Sequence, residues 1–318
     1  MPALRLYRDP PLLPAEARGA AVALGNFDGL HLGHQVLLRE VTAQARRLGA
    51  APGVVTFEPH PRRFFAPDSE PFRLTTLRTK VRLLRQAGVE RVFALRFDAA
   101  LAAREPEDFA EGILGRELGV RHVAVGADFR FGRRRRGDVD LLARCGARAG
   151  YSVGVVPLQH IASAGGDSLV SSSAIRQALR EGRPREATRL LSRPWEIEGA
   201  VRHGAKRGRA LGYPTANIAL PGLLRPAYGV YAVRVAGDGF DRPADGVANL
   251  GISPMFSYAE PLLEVHLFDF AGDLYGRHLR VSLIDYLRGE LRFDTLDELV
   301  EQMHEDSRQA RQALAVPD

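Results

Sequence analysis

The 318-residue sequence contains a single cysteine, Cys145, and only two lysines, Lys80 and Lys206. One cysteine excludes an intramolecular disulfide and a cysteine-based zinc cluster, and it fits a reducing compartment. No uncharged apolar stretch approaches the ~20 residues that span a bilayer, and no apolar run with a cleavage site follows Arg5 and Arg8. We therefore expect a cytoplasmic protein without a secretory signal or a membrane partner.

The composition is that of a folded globular protein. Hydrophobic residues make up 45% of the chain and charged residues 26%, which excludes the disordered and collagen-like classes. At roughly 100–200 residues per domain, the length predicts two domains.

Basic charge is concentrated in one half of the chain. Residues 1–193 carry a net charge of +11 and residues 194–318 a net charge of −5. A cationic half suits anionic ligands such as nucleotides or nucleic acid. The basic run Arg133–Arg136 has few interleaved aromatic residues, so we interpret it as a solvated loop that attracts phosphates rather than as a nucleic-acid site.

The first half alternates short apolar runs with amphipathic segments, a pattern that predicts a doubly wound parallel α/β sheet. The predicted strands are Ala20–Gly25, Gly53–Phe57, Arg91–Phe97, His122–Gly126 and Ser152–Pro157. The predicted helices are Gln35–Leu48, Thr76–Gly88, Pro106–Leu118, Val139–Ala149, Ser173–Glu181 and Pro184–Leu191. A glycine stands at or just beyond the end of each of the first four helices, where helix C-caps belong.

From Pro194 onward, strands follow one another without helices between them, which predicts a small antiparallel β-barrel. The predicted strands are Trp195–His203, Gly229–Ala236, Ala244–Leu250, Leu262–Phe270 and His278–Tyr286. A final helix starts at a capping box formed by Thr295 and Glu298. We place the domain boundary near Arg193, giving domains of residues 1–193 and 194–318.

The first predicted strand runs into a glycine-rich turn and then into a helix. The turn contains His31 and His34, three residues apart and so on one face of the first helical turn. A helix N-terminus offers N–H groups and a positive dipole end to phosphates. The segment has no P-loop lysine. Two imidazoles here can stabilise phosphates during transfer, although two ordinary surface histidines would have the same spacing.

The turn resembles the HxGH signature of the nucleotidyltransferase superfamily. Three later segments narrow the resemblance: residues 56–61, residues 125–138 and the helix-opening residues 171–176. Together they are similar to the prokaryotic bifunctional riboflavin kinase/FMN adenylyltransferases. The usual helix-opening string is ISSTxIR, and Ser173 stands here for its threonine. The resemblance implies a nucleotidyltransferase domain followed by a barrel kinase domain with a C-terminal helix.

The resemblance implies roles in adenylyl transfer. His31, His34 and Arg176 are expected to stabilise the transferring phosphates. The expected ATP-binding residues are Gly25, Asn26, Phe27, Asp28, Ser172 and Ser173. The expected flavin-binding residues are Asp128 and Phe129 with Phe64 or Phe65, although ordinary core packing explains each phenylalanine about equally well.

Residues 199–217 form a second dense motif, similar to the GxVxHGxxxGRxLGxPTAN signature of riboflavin kinases. Three of its four glycines, Gly204, Gly208 and Gly212, make a pliable loop that can fold over ATP phosphates. Thr215 and Asn217 present oxygen atoms two residues apart, and hard oxygen ligands beside nucleotide phosphates suit Mg²⁺. The resemblance implies that these two residues assist metal and ATP binding.

Glu264 is a polar residue in an alternating apolar strand. On its own it indicates a solvent-facing glutamate, but the resemblance makes it the general base that takes a proton from the 5′-hydroxyl of riboflavin. Arg288 and Phe293 are weaker flavin-side candidates. Residues 252–255 depart from the family string ANIGTRPTF, because its arginine and threonine are missing.

The sequence therefore predicts an enzyme that phosphorylates riboflavin to FMN and adenylylates FMN to FAD, with ATP as co-substrate and Mg²⁺ as charge partner. One alternative keeps only the adenylyltransferase, if the altered residues 252–255 disable the kinase. Another makes the chain a basic nucleic-acid-binding or flavin-sensing protein. We expect small-molecule partners and no specific nucleic acid; the sequence leaves the oligomeric state open.

Overall fold

The computed structural model describes residues 3–9, 13–163, 166–203, 212–220, 222–252 and 261–316. The chain forms two compact units. The first contains residues 1–70 and 75–171, and the second contains residues 71–74 and 172–318.

A six-stranded sheet forms the centre of the first unit, in the order β1-β4-β3-β2-β5-β6. Its strands are β1 (Arg5–Arg8), β2 (Ala21–Leu24), β3 (Pro52–Glu58), β4 (Arg91–Arg96), β5 (His122–Gly126) and β6 (Ser152–Val156). Every neighbouring pair is parallel. The predicted doubly wound α/β sheet is confirmed.

Helices cover both faces of this sheet. They are α1 (Leu32–Leu48), α2 (Pro61–Phe65), α3 (Leu77–Gln86), α4 (Ala99–Ala102), a π-helix (Asp108–Glu117) and α5 (Val139–Ala149). One buried apolar cluster joins the sheet to α1 and α3, and the other joins it to the π-helix and α5. The chain continues from β2 toward β3 and β4 on one side and returns to β5 on the other. The carboxyl end of β2 is therefore at the switch point, where open α/β sheets bind ligands.

Some local elements differ from the sequence prediction. The segment predicted as an ordinary helix at 106–118 contains ten π-helical residues. Gly115 lets this helix pack closely on α5, because a Cβ there would lie 2.8 Å from the Cβ of Ala149. The sequence did not predict β1, α2, α4 or the hairpin β7 (His160–Ser163) and β8 (Gly166–Leu169).

An antiparallel six-stranded sheet forms most of the second unit, in the order β10-β13-β12-β11-β14-β9. Its strands are β9 (Trp195–Ala200), β10 (Ala216–Ala219), β11 (Gly229–Gly237), β12 (Ala244–Ile252), β13 (Pro261–Leu267) and β14 (His278–Arg288). The backbone N–H of Arg202, just after β9, donates to the carbonyl of Asn217 in β10 at 2.9 Å. This bond nearly closes the sheet, as the barrel prediction requires, although β10 itself was not predicted.

Among the residues that the structure describes, the second unit contains the helices α6 (Ser172–Arg180), α7 (Pro184–Leu191) and α8 (Leu296–Ala315). The predicted capping box at the start of α8 is confirmed. In its first turn Leu296 is 66% exposed, whereas Ala310 and Leu314, near its end, are buried against the sheet. The contact-based division puts α6 and α7 with the barrel, so the boundary near Arg193 stays a prediction.

Candidate functional site

The HxGH-like motif lies in the connection between β2 and α1. Phe27, Gly29 and Leu30 have positive φ angles of 49°, 89° and 51°, which make the connection a tight turn. α1 begins directly after His31. The turn therefore sets both histidines at the N-terminus of a 17-residue helix, beside the switch point of the sheet.

The two histidine rings are stacked on each other. Their centroids are 3.6 Å apart and their planes are inclined by 23°. His31 is the N-cap of α1, and its Nδ1 accepts a hydrogen bond from the backbone N–H of His34 at 3.4 Å. Because Nδ1 accepts this bond, a neutral His31 carries its proton on Nε2. The helix start therefore fixes the tautomer of the first histidine.

His34 is held in its neutral form. Burial lowers its pKa well below the ordinary histidine value, and the charges of His31 and Lys80 lower it further. The ring of Phe27, 5.0 Å away between centroids, covers part of its surface. A neutral imidazole donates one hydrogen bond and accepts another, so His34 can bind a phosphate oxygen without a change of charge.

Phe27 and Asp28 support the turn from inside the unit. The Phe27 ring is fully buried in the apolar core. One carboxylate oxygen of Asp28 accepts hydrogen bonds from the backbone N–H and the hydroxyl of Thr75, at 3.0 and 3.1 Å. Gly25 and Asn26 are half-buried in the same turn. The predicted roles of all four residues in ATP binding stay predictions.

Aromatic rings form a connected row along the carboxyl ends of the sheet. Phe64 and Phe65 each contact Phe97, with centroids 5.6 and 5.7 Å apart. The row continues through further edge and face contacts of about the same length, between Phe97 and Phe57, Phe57 and Phe109, Phe109 and Phe131, and Phe131 and Phe129. Phe65 is 69% exposed. The exposed end of the row offers an apolar surface of the kind that holds a flavin ring, whereas Phe109 and Phe131 are buried in the core. Asp128, next to Phe129 in the chain, is exposed.

Three predicted phosphate-binding residues lie on α6 of the second unit. Ser172 is half-buried and Ser173 is exposed in the first turn. Arg176 is buried, donates from Nε to the carbonyl of Phe72 at 2.8 Å and lies over the Phe72 ring. Their predicted part in adenylyl transfer stays a prediction.

The barrel brings three polar residues into one row across its strands. Glu264 in β13 pairs directly with Asn217 in β10 and with Asn249 in β12. Residues directly opposite each other in an antiparallel ladder share a face. The predicted base therefore lies beside the predicted metal ligand Asn217, a relationship that depends on β10 being a strand.

The chemistry of this row fits proton abstraction next to a cation. Burial raises the pKa of the Glu264 carboxyl above its ordinary value, which makes its carboxylate a stronger base. Asn217 is only 3% exposed, and its Oδ1 is buried without a hydrogen-bond partner among the residues that the structure describes. A buried oxygen in this condition suits a hard cation, and Thr215 lies half-buried two residues earlier.

Within the described ranges, no group of three or more His, Cys, Asp or Glu side chains is arranged to hold a metal. A metal at this row would therefore take amide, hydroxyl and phosphate oxygens. Gly212, three residues before Thr215, has a positive φ angle of 82°. Gly204, Gly208 and the altered residues 253–255 lie outside the described residues.

Arg288 is hydrogen-bonded to Asp306 of the last helix, α8. Its Nε and a terminal nitrogen donate to the two carboxylate oxygens of Asp306, at 2.8 and 2.6 Å. Asp306 is buried, so the pair joins β14 to α8. Phe293 is half-buried before the helix. The predicted flavin contacts of both residues stay predictions.

Sequence reasoning missed three residues that the structure places at these sites. The sequence could have singled out Lys80, because it is one of only two lysines in the chain. Asn249 stands in the segment similar to a family string, but its alignment with Glu264 depends on strand register. In the sequence, nothing distinguishes Asp306 from an acidic residue on a solvent-exposed helix face.

Two known families match most of the chain, one in each half. The FAD synthetase family matches residues 13–174, and the riboflavin kinase family matches residues 191–314. The bifunctional riboflavin kinase/FMN adenylyltransferase of Escherichia coli K12 is 42% identical over 301 residues, covering 95% of each chain. The protein of the same name from Pseudomonas fluorescens is 42% identical over 322 residues, covering 99% of each chain. The chain belongs to the bifunctional riboflavin kinase/FMN adenylyltransferase family.

A solved structure also resembles this family member along its length. The crystal structure titled macrolide-efflux protein from Streptococcus pneumoniae has a TM-score of 0.83 and 30% identity, and it covers 96% of this chain and 98% of its own. That title concerns the pneumococcal protein. Across the part of the chain that the structure describes, no helix is long and apolar enough to cross a membrane.

Proposed function

We propose that the chain makes FAD from riboflavin at two sites, one in each unit. The second unit phosphorylates riboflavin to FMN, and the first adenylylates FMN to FAD. The observation that carries the proposal is that each unit brings residues of its own family motif together in one arrangement. These are the stacked histidines at a helix N-terminus and the Asn217–Glu264–Asn249 row in the barrel.

In the kinase reaction, the Glu264 carboxylate takes the proton from the ribityl 5′-hydroxyl of riboflavin. The hydroxyl oxygen attacks the γ-phosphorus of ATP at the same time. The new P–O bond makes FMN, and ADP leaves with the electrons of the broken bond. Thr215 and Asn217 would hold Mg²⁺ together with the ATP phosphates, because their oxygens are of the hard type that this ion prefers. A cation bound there would offset the phosphate charge. Gly204, Gly208 and Gly212 belong to the same motif and are proposed to contribute to ATP binding.

In the adenylyl transfer, a phosphate oxygen of FMN attacks the α-phosphorus of ATP, and pyrophosphate leaves. His31 and His34 donate hydrogen bonds to the phosphate oxygens as negative charge moves onto the leaving group. The N-terminus of α1 adds its dipole. Fixed donors of this kind need no rearrangement during the reaction.

The flavin ring in this step packs on the aromatic row, with Phe64 or Phe65 at the exposed end and Phe129 with Asp128 at the other. Stacking on exposed Phe65 would bury apolar surface of both partners. The proposal places the enzyme in the cytoplasm, because both steps consume ATP.

One assay tests the proposal against its alternatives. Gel-filtered protein is given riboflavin, ATP and Mg²⁺, and the flavins are separated by chromatography. The proposal expects FMN and then FAD. FAD from added FMN but no FMN from riboflavin would indicate an adenylyltransferase with a disabled kinase, and binding without turnover would indicate a flavin-sensing or nucleic-acid-binding protein.

A further inference from the structure

Lys80 is a buried cation in a chain that almost always uses arginine. It is one of two lysines beside 42 arginines, and it is 3% exposed on α3. Arg78 and Arg85 on the same helix are less buried. Burying an ammonium group is costly unless its surroundings stabilise it, so a helix that keeps other cations nearer to solvent has little structural reason to bury this one.

The Lys80 side chain reaches toward the turn that carries the HxGH-like motif. Its Nζ donates to Thr56 Oγ1 at 3.4 Å, and this hydroxyl donates to the backbone carbonyl of Asn26 at 3.2 Å. Thr56 is fully buried at the carboxyl end of β3. One chain of contacts therefore joins α3 through β3 to the start of the turn.

A second set of contacts joins the same turn to the start of α3. Thr75 donates to Asp28 through its N–H and its hydroxyl, and that hydroxyl accepts from the N–H of Gly29 at 3.3 Å. Residues 75–80 thus hold the turn at two places, one at each side of Phe27. A shift of α3 would move the backbone from which His31 and His34 project.

The charge of Lys80 also acts on the histidines. After burial and His31, Lys80 is the third influence that lowers the pKa of His34. His31, at the start of the same helix, and Lys80, on α3, are the titratable groups whose charges act on this ring. The Nδ1 of His34 is buried without a hydrogen-bond partner within the described residues. A proton there would be an unsatisfied buried donor, so the neutral ring carries its proton on Nε2.

We propose that Lys80 is a positioning residue for adenylyl transfer, which holds the turn at Asn26 through Thr56 and acts on the His34 ring through its positive charge. The inference rests on the proposed role of His34 in that reaction. Lys80 itself forms no bond to substrate in this role. It acts through the geometry of the turn and through the charge of the ring.

The charge is tested with Lys80→Met in the full-length protein, a change that keeps the length of the side chain. FAD formation from FMN and ATP is expected to fall at least ~10-fold, because small displacements of catalytic groups cost rates of this order or more. The pKa of His34, followed by NMR and assigned by comparison with His34→Gln, is expected to rise. Lys80→Arg keeps the charge and should keep that pKa low.

The tether is tested separately with Thr56→Val, which keeps the shape of the side chain but removes the hydroxyl. FAD formation is expected to fall while the pKa of His34 stays as in the wild type. Arg85→Met is the matched control, since it removes an exposed cation from the same helix; it should change neither quantity. The two-dimensional NMR spectrum of each variant, compared with that of the wild type, reports whether the first unit, which contains all three substituted residues, is folded.

The outcomes separate this inference from the proposed function. If His34→Ala abolishes FAD formation but Lys80→Met and Thr56→Val leave both FAD formation and the His34 pKa unchanged, the role of Lys80 is overturned and that of His34 stands. If His34→Ala makes FAD at the wild-type rate, the role of His34 fails, and the Lys80 inference fails with it. Should Lys80→Met not fold, Lys80→Gln takes its place as the variant without the charge. Wild-type FAD formation by Thr56→Val together with an unchanged His34 pKa in Lys80→Gln would then show that the lysine serves stability alone.

Discussion

Asn217 and Glu264 lie directly opposite each other on β10 and β13 of the barrel. The pairing puts a buried amide oxygen without a hydrogen-bond partner in the described residues beside a carboxylate whose pKa burial raises. A cation ligand next to a proton acceptor is what phosphorylation of a hydroxyl needs, because the acceptor oxygen must lose its proton where the phosphate charge is offset.

Glu264→Gln is the sharpest test of this arrangement. The amide keeps the shape of the side chain but cannot accept the proton, so phosphorylation of riboflavin should fall by ~10²–10⁴. FAD formation from added FMN should persist, since the first unit carries that reaction. Chromatography of both half-reactions on one purified variant gives the answer.

The control for this test is Glu301→Gln, which alters an exposed glutamate of α8 and should leave both activities unchanged. Kinase turnover near the wild-type rate in Glu264→Gln would remove this residue from the mechanism. The nearest downstream carboxylates are less suited to replace it. Arg311 binds Asp269 through two hydrogen bonds and lowers its pKa, and Asp273 accepts from the N–H of Tyr275.

The raised pKa of Glu264 predicts how the kinase responds to acid. The base works only when deprotonated, so kcat/KM should fall as pH drops through the pKa of this carboxyl. Because burial raises that pKa, the fall should begin above the ordinary glutamate value of about 4.3. A pH profile of kcat/KM for riboflavin measures it; a midpoint at or below the ordinary value would contradict a buried base.

The barrel shows what sequence patterns could and could not reveal. Five of its strands follow from apolar alternation, but β10 was missed because Ala216–Ala219 is only four residues long and begins inside the glycine-rich motif of residues 199–217. Local sequence does not encode which residue pairs with Asn217, since register depends on strands far apart in the chain.

In the first unit, too, some features could be predicted from the sequence and others could not. Its parallel sheet and the position of the histidines followed from periodicity and from the turn, because buried parallel strands are continuous apolar runs. The edge strand β1 was missed, since Arg5 and Arg8 hide its pattern. The role of Lys80 is not readable from the sequence, because its burial depends on the packing of α3 against β3.

His31→Ala and His34→Ala should each reduce FAD formation by ~10² or more, the usual scale for loss of a fixed transition-state donor. FMN formation should remain near the wild-type rate. His160→Ala, which changes a histidine of the same unit outside the turn, is the matched control. Equal loss of both activities would indicate that the stacked histidines are structural.

The division of the chain into two compact units predicts where the kinase can be separated from the adenylyltransferase. Ala187, Leu190 and Leu191 of α7 are fully buried within the second unit, and each buried leucine contributes roughly 1.5–3 kcal/mol. A fragment of residues 172–318 should therefore be more stable in urea than one of residues 194–318, and should phosphorylate riboflavin without making FAD. Equal stability of the two fragments would support the boundary near Arg193 instead.

Mixing two variants tests the central claim of two reactions with separate catalytic residues. His34→Ala protein given riboflavin, ATP and Mg²⁺ should stop at FMN, and Glu264→Gln protein should leave riboflavin unchanged. An equimolar mixture should make FAD, because FMN released by one variant is adenylylated by the other. FAD at the wild-type rate from either variant alone, or no FAD from the mixture while FMN accumulates, would contradict the account.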